Sequence, residues 1–196
     1  MFSINWLPTL ETPAAYVVLL TAALLLMVRD WRILLGALLV QYGAVAVLWG
    51  GQTSYTQGFA ALTVGLFIGL MLYVTIRQTQ AGQWPQANTP PSSQGWLLIW
   101  ASQVVLAWLL ATWLAPSAEA LPVTLAFIAL ALFGGWRFFT AAHPLLLGLG
   151  GLMLTTAAGL FWADGTAVTP LLLLTITQLI ITLTVSYLAA SHRLKC

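Results

Sequence analysis

Apolar residues run through this chain in blocks of the length that a helix needs to cross the hydrocarbon of a bilayer, about 20 residues. Seven such blocks stand at 13–29, 32–50, 57–77, 95–114, 121–140, 143–162 and 169–190. The pattern predicts an all-α integral membrane protein of about seven transmembrane helices. Four blocks carry a proline near their start, at Pro13, Pro122, Pro144 and Pro170. Proline suits a first helical turn, where its missing N–H is not needed. Thr12 and Thr169 stand just before two of these prolines, where an N-cap side chain belongs.

The polar interruptions divide the chain. Residues 78–94 form the one long polar segment, with Pro85, Pro90 and Pro91 among serines and glutamines, and read as a cytoplasmic linker. On either side of it the blocks correspond at a shift of 112 residues. Leu34-Leu35-Gly36 falls on Leu146-Leu147-Gly148, Trp49 on Phe161, Thr63 on Thr175 and Ile68 on Ile180. An even number of spans separates the partners, so the two units point the same way, as in a parallel repeat. The expected organisation is a three-helix unit at 1–77, the linker, a connecting helix at 95–114 and a second three-helix unit at 121–196.

Composition places the chain in lipid. Hydrophobic residues make up 61% and charged residues 5%, against about 25% charged in soluble domains. The net charge of +2 rests on very few groups, and no basic stretch with interleaved aromatics supports nucleic acid as a partner. The few charges instead give direction. Arg29, Arg32, Arg77, Arg137, Arg193 and Lys195 fall on one side of a seven-span topology, with Asp30 beside them; Glu11, Glu119 and Asp164 fall on the other. The positive-inside rule then predicts a multi-pass protein of the cell (inner or plasma) membrane, N-terminus outside and C-terminus cytoplasmic. Met1–Glu11 lacks the positive region of a removable signal. Cys196, the one cysteine, has no partner for an internal disulfide and lacks the three following residues of a prenylation signal. Trp6, Trp31, Trp49, Trp96, Trp113, Trp136 and Trp162 sit at span ends, the headgroup level that amphipathic rings prefer. Trp100 and Trp108 lie inside the fourth span, eight apart and so on one face, where they pack or border lipid or a quinone tail.

No Asp, Glu, Lys, Arg or His stands deep inside a predicted span. Proton relays need such groups, so this chain by itself is not expected to pump protons. His143 and His192 fall at the cytoplasmic edge, and His143, just before Pro144, reads as an interfacial cap. There is no CxxC, no HExxH and no second ligand at helical spacing, hence no candidate catalytic or metal-binding residue and no cofactor motif. Three glutamines do reach mid-bilayer: Gln41, Gln103 and Gln178. An amide in hydrocarbon costs several kcal/mol unless hydrogen-bonded. Each should therefore face another helix, as interhelical glue or as a polar lining. Thr175, Thr182 and Ser186 join Gln178 on one face of the last span, while Thr177 and Thr184 form a second polar row, so that span should be buried against protein. Gly36 and Gly43, Gly65 and Gly69, and Gly151, Thr155 and Gly159 form small-residue rows that let helices approach closely. Some of these faces should meet another subunit.

The short first span, the basic turn and Leu35-Gly36-Ala37-Leu38-Leu39-Val40-Gln41-Tyr42-Gly43-Ala44-Val45 together resemble the K subunit of complex I, the C subunit of Mrp-type sodium/proton antiporters and the E component of membrane-bound hydrogenases. The likeness covers residues 13–77 and, more faintly, 121–190. It implies a small helical subunit embedded beside larger antiporter-like ones. The chain departs from that family at Gln41, near which the K subunit carries intramembrane glutamates, so the implied role is scaffolding rather than proton transfer. The expected function is a non-catalytic accessory subunit of a larger redox-driven or ion-translocating complex, with lipid or quinone contact. The alternative is a stand-alone permease for a small neutral solute.

Overall fold

The computed structural model describes residues 7–28, 30–79, 93–141, 143–162 and 168–193. Among them the chain forms seven α-helices and no strand: α1 (Leu7–Met27), α2 (Trp31–Gln52), α3 (Tyr55–Thr79), α4 (Ser93–Leu114), α5 (Leu121–Thr140), α6 (Pro144–Phe161) and α7 (Val168–Arg193). All seven are long and apolar enough to span a membrane, so the chain is a seven-helix multi-pass membrane protein whose outer surface meets lipid. Most of residues 78–94, together with Trp6, Arg29, Asp164, Lys195 and Cys196, lie outside the described residues, as do the side chains of Trp96, Thr169 and His192.

Two expected helix starts are corrected. α1 begins at Leu7, which puts Thr12 and Pro13 inside it. The bond that Pro13 forgoes would go to the carbonyl of Thr9, at a helix end where water can replace it. α7 begins at Val168, so Thr169 is its second residue rather than its cap. Side-chain caps occur elsewhere. Asp30 Oδ1 accepts from the Arg32 amide at 2.9 Å and opens α2. His143 Nδ1 accepts from the Leu145 amide at 3.3 Å and opens α6, with Pro144 in the first turn.

Six helices close a ring by successive contact, in the order α1, α2, α3, α7, α6, α5 and back to α1; α4 lies outside it, against α5 and the edge of α1. The ring is pinched, because α2 and α6 also touch across it: the Trp49 indole Nε1 donates to the carbonyl of Gly159 at 3.3 Å. Those two helices contain the most buried spans. Leu38, Leu48, Leu152 and Met153 are almost wholly enclosed.

The helices of the two halves start at similar spacing. Leu121, Pro144 and Val168 follow Leu7, Trp31 and Tyr55 by 114, 113 and 113 residues. Each helix of the first unit touches its counterpart in the second: Arg137 Nη1 donates to the Leu26 carbonyl at 3.3 Å, Trp49 to Gly159, and the Thr75 hydroxyl to Ser186 Oγ at 3.0 Å. The partners are 111, 110 and 111 residues apart. These contacts lay the row α1, α2, α3 alongside the row α5, α6, α7.

Charge is sorted by end. Arg32, Arg77 and Arg137 stand with Asp30 at one end of the bundle, the arginine end, and Glu11 and Glu119 at the other. Burial of α7 falls short of the expectation. Only the stripe with Leu174, Gln178, Thr182, Val185 and Ala189 is enclosed, while Leu172, Leu173, Ile176, Ile180, Leu183 and Tyr187 face outward. Those apolar side chains need no cover in hydrocarbon.

Candidate intramembrane polar site

The polar residues of the interior are gathered by heptad lines. Residues seven apart on a helix lie two turns apart on nearly the same line. On α2, Leu35, Tyr42 and Trp49 form one such line, and Leu34, Gln41 and Leu48 the next. On α6 the lines are Leu145, Leu152 and Gly159, and Leu149 with Thr156. On α3, Leu72 continues Gly65. Across the interior these lines meet at three levels.

At the arginine end, Trp31, Leu34, Leu35, Leu72, Ile76, Leu145 and Leu149 line a shallow apolar crevice, part of it open to the outside. Two turns further in stand Gln41, Tyr42, Thr156, Gln178 and Thr182, all buried. Gln178 Nε2 donates to Thr156 Oγ1 at 3.2 Å, joining α7 to α6. The Thr156 hydroxyl donates in turn to the Leu152 carbonyl at 2.7 Å, and the Thr182 hydroxyl to the Gln178 carbonyl at 2.8 Å. Tyr42 Oη lies beside Thr156 but closes no hydrogen bond, and Gln41 Oε1 has none either. Gln41 is 2% exposed and Tyr42 4%. At the third level the Trp49 ring covers Gly159, where an added Cβ would stand 2.9 Å from Cζ2.

Glycines make this fit possible. A Cβ on Gly65 would strike the Tyr42 ring, one on Gly69 would come within 2.6 Å of Leu39 Cδ2, and one on Gly148 would strike Val185. Gly150 and Gly134 let α5 and α6 touch backbone to backbone. Gly151 has ordinary clearance from Ile181, with 3.7 Å to its nearest atoms. Gly36 and Gly43 have nothing within 4 Å of an added Cβ and face out of the bundle, so no helix of this chain uses them.

Comparison with protein-family models, with curated proteins and with solved structures finds no match. The chemistry must therefore be read from the residues themselves. Among the described residues no three His, Cys, Asp or Glu side chains gather as metal ligands would.

The sequence-predicted glutamines do not form one cluster. Gln178 bonds within the polar layer and Gln41 stands in it with a free carbonyl oxygen. Gln103 lies under α4 with Trp100, and Gln103 Oε1 and Trp100 Nε1 are both buried without a partner. Trp108 stacks on Tyr16 of α1 with ring centroids 6.3 Å apart. Ser186 belongs to the α3–α7 contact, and Thr175 is half-buried on the same face of α7. Sequence reasoning missed Tyr42, Thr156 and the role of Trp49. The signal was the seven-residue spacing of Leu35, Tyr42 and Trp49, which places an apolar, a polar and a bulky position on one inward line.

Proposed function

We propose that this chain is a non-catalytic accessory subunit of a larger redox-driven or ion-translocating membrane complex, inserted with the arginine end in the cytoplasm. The observation that carries the reading is the outer face of α2. Gly36 and Gly43 stand there at seven-residue spacing with empty space in front of each, beside the exposed Ile33 and Val40. A glycine inside a helix costs roughly 0.5–1 kcal/mol against alanine. The other glycine contacts return that cost within the chain, at Tyr42, Leu39, Val185 and Trp49, and Gly36 and Gly43 do not. A neighbouring subunit's helix lying in the groove would return it through close packing. The redox or ion-translocating character of the complex is supported by the resemblance of Leu35–Val45 to complex I and antiporter subunits. The test is co-purification in mild detergent. Gly36→Leu with Gly43→Leu should abolish co-migration with larger membrane subunits while the free chain melts as before. Retention of the partners, or purification of the unaltered chain alone from native membranes, would refute the reading.

A specific observation favours a second reading, permeation of a small neutral solute by this chain alone. The interior has a polar layer at mid-membrane with two unsatisfied oxygens, Gln41 Oε1 and Tyr42 Oη, inside a bundle of paired parallel units. Liposomes holding only this chain should then release a neutral solute such as urea or glycerol, and Gln41→Leu should stop it.

A further inference from the structure

We propose that the seam between α2 and α3 at the arginine end binds one anionic phospholipid, with Arg32 and Arg77 on its phosphate, Trp31 and Tyr73 beside its glycerol, and Leu70 and Leu66 along an acyl chain.

The phosphate is called for by two arginines that the protein leaves unpaired. Arg32 is the second residue of α2 and Arg77 stands in the last turn of α3, so the antiparallel pair brings both to one end. Both side chains are exposed, and neither guanidinium makes a hydrogen bond or an ion pair among the described residues. Asp30, the one acid at that end among those residues, accepts from the Arg32 amide instead. Arg137 differs, because it is held on the Leu26 carbonyl. An unpaired arginine at the membrane surface attracts anionic lipid, and its planar fork matches two oxygens of a phosphate.

Two rings join the arginines. The Trp31 and Tyr73 ring centroids are 6.1 Å apart, across the seam between α2 and α3. Arg32 Cζ lies 5.4 Å from the Trp31 ring centroid. Arg77 stands one turn beyond Tyr73 on the same line of α3. Amphipathic rings settle at headgroup level, so this pair marks the depth at which a phosphate meets the two cations.

The face below separates a lipid from a free anion. Leu66, Leu70 and Tyr73 lead to Arg77 at alternating steps of four and three residues, a single helical line, and all three are exposed. At 1.5 Å per residue the line runs about 16 Å below Arg77, close to the depth of one leaflet's hydrocarbon. An acyl chain on that line is continuous with a phosphate at Arg77, whereas a phosphate without tails gains nothing from the leucines. The lipid carries net negative charge, because the amine of a zwitterionic headgroup already balances its phosphate.

The test is native mass spectrometry of the full chain, released from mild detergent with equal amounts of phosphatidylglycerol and phosphatidylcholine. The chain should retain one phosphatidylglycerol in preference. Arg32→Gln with Arg77→Gln should lower that preference about 30-fold, the ratio that two basic side chains at an anionic lipid surface set, while the chain melts as before. Arg137→Gln, which removes a charge from the same end, should leave the preference unchanged. Glycerophosphoglycerol, the same headgroup without tails, should not displace the lipid. Equal retention of the two lipids, or a comparable loss on Arg137→Gln, would overturn the site. Displacement by the tailless headgroup would overturn its lipid character. In native membranes, with Cys196→Ser as background, a photoactivatable group attached at Val74→Cys, exposed beside this line, should label phospholipid. Labelling of a protein subunit instead would give the face to a partner and overturn the proposal.

Discussion

Trp49 on α2 and Gly159 on α6, 110 residues apart in sequence, meet where the two rows of helices face each other, and the indole N–H ends on the glycine carbonyl at 3.3 Å. The contact needs both residues. The ring requires a partner without a side chain, and the carbonyl is reachable only because nothing stands in front of it.

Gly159→Leu should therefore destabilise the folded chain by about 1–3 kcal/mol, the usual cost of overpacking. Gly36→Ala, with open space before it, should instead be neutral or stabilising by about 0.4–1 kcal/mol. Unfolding in detergent–denaturant mixtures measures both. Equal losses at the two glycines would contradict the placement of α2 against α6.

Tyr42 and Gly65 should behave as a coupled pair. A Cβ on Gly65 runs into the Tyr42 ring, so Gly65→Ala should destabilise in the parent chain and much less beside Tyr42→Ala. Residues in direct contact show coupling of roughly 0.5–3 kcal/mol in a double-mutant cycle. Tyr42→Phe, which removes only a hydroxyl that closes no hydrogen bond, should leave stability unchanged or raise it, and a large loss would show that the hydroxyl is satisfied in the folded protein.

Arg137 reaches the carbonyl of Leu26 in the last turn of α1. A cation there answers the partial negative charge of a helix C-terminus, worth about 0.3–1 kcal/mol near the surface. Arg137→Gln should lower stability by about that much, with the loss shrinking as salt rises. A loss that does not change with salt would mean that the side chain acts through packing alone.

How far the sequence foretold this arrangement depends on the kind of signal. The spans were legible because lipid demands unbroken apolar length, and α5 begins and ends where the pattern places it. The start of α1 was misread because Pro13 resembles a first-turn proline, although six helical residues precede it. Gln178 could be expected to bond across helices, since an amide in hydrocarbon has few alternatives. Tyr42 and Trp49 could not be singled out so readily, because an aromatic ring serves equally at the lipid interface and in the interior. Glycine rows were harder still. Gly65 and Gly36 look alike in sequence, and only the ring of Tyr42, brought in by tertiary packing, distinguishes a filled groove from an open one.

The side-by-side pairing of α1, α2 and α3 with α5, α6 and α7 underlies the polar layers, and disulfide formation between α3 and α7 tests it most directly. In a Cys196→Ser background, Thr75→Cys and Ser186→Cys replace hydroxyls that are 3.0 Å apart, well within reach of a bridge that needs Cβ atoms about 3.5–4.5 Å apart. Mild oxidation should give a rapid bond within the monomer, whereas Thr75→Cys with Thr177→Cys, which lies on the exposed side of α7, should give none. A bond in the second pair and not in the first, or bonds only between molecules, would contradict the parallel pairing.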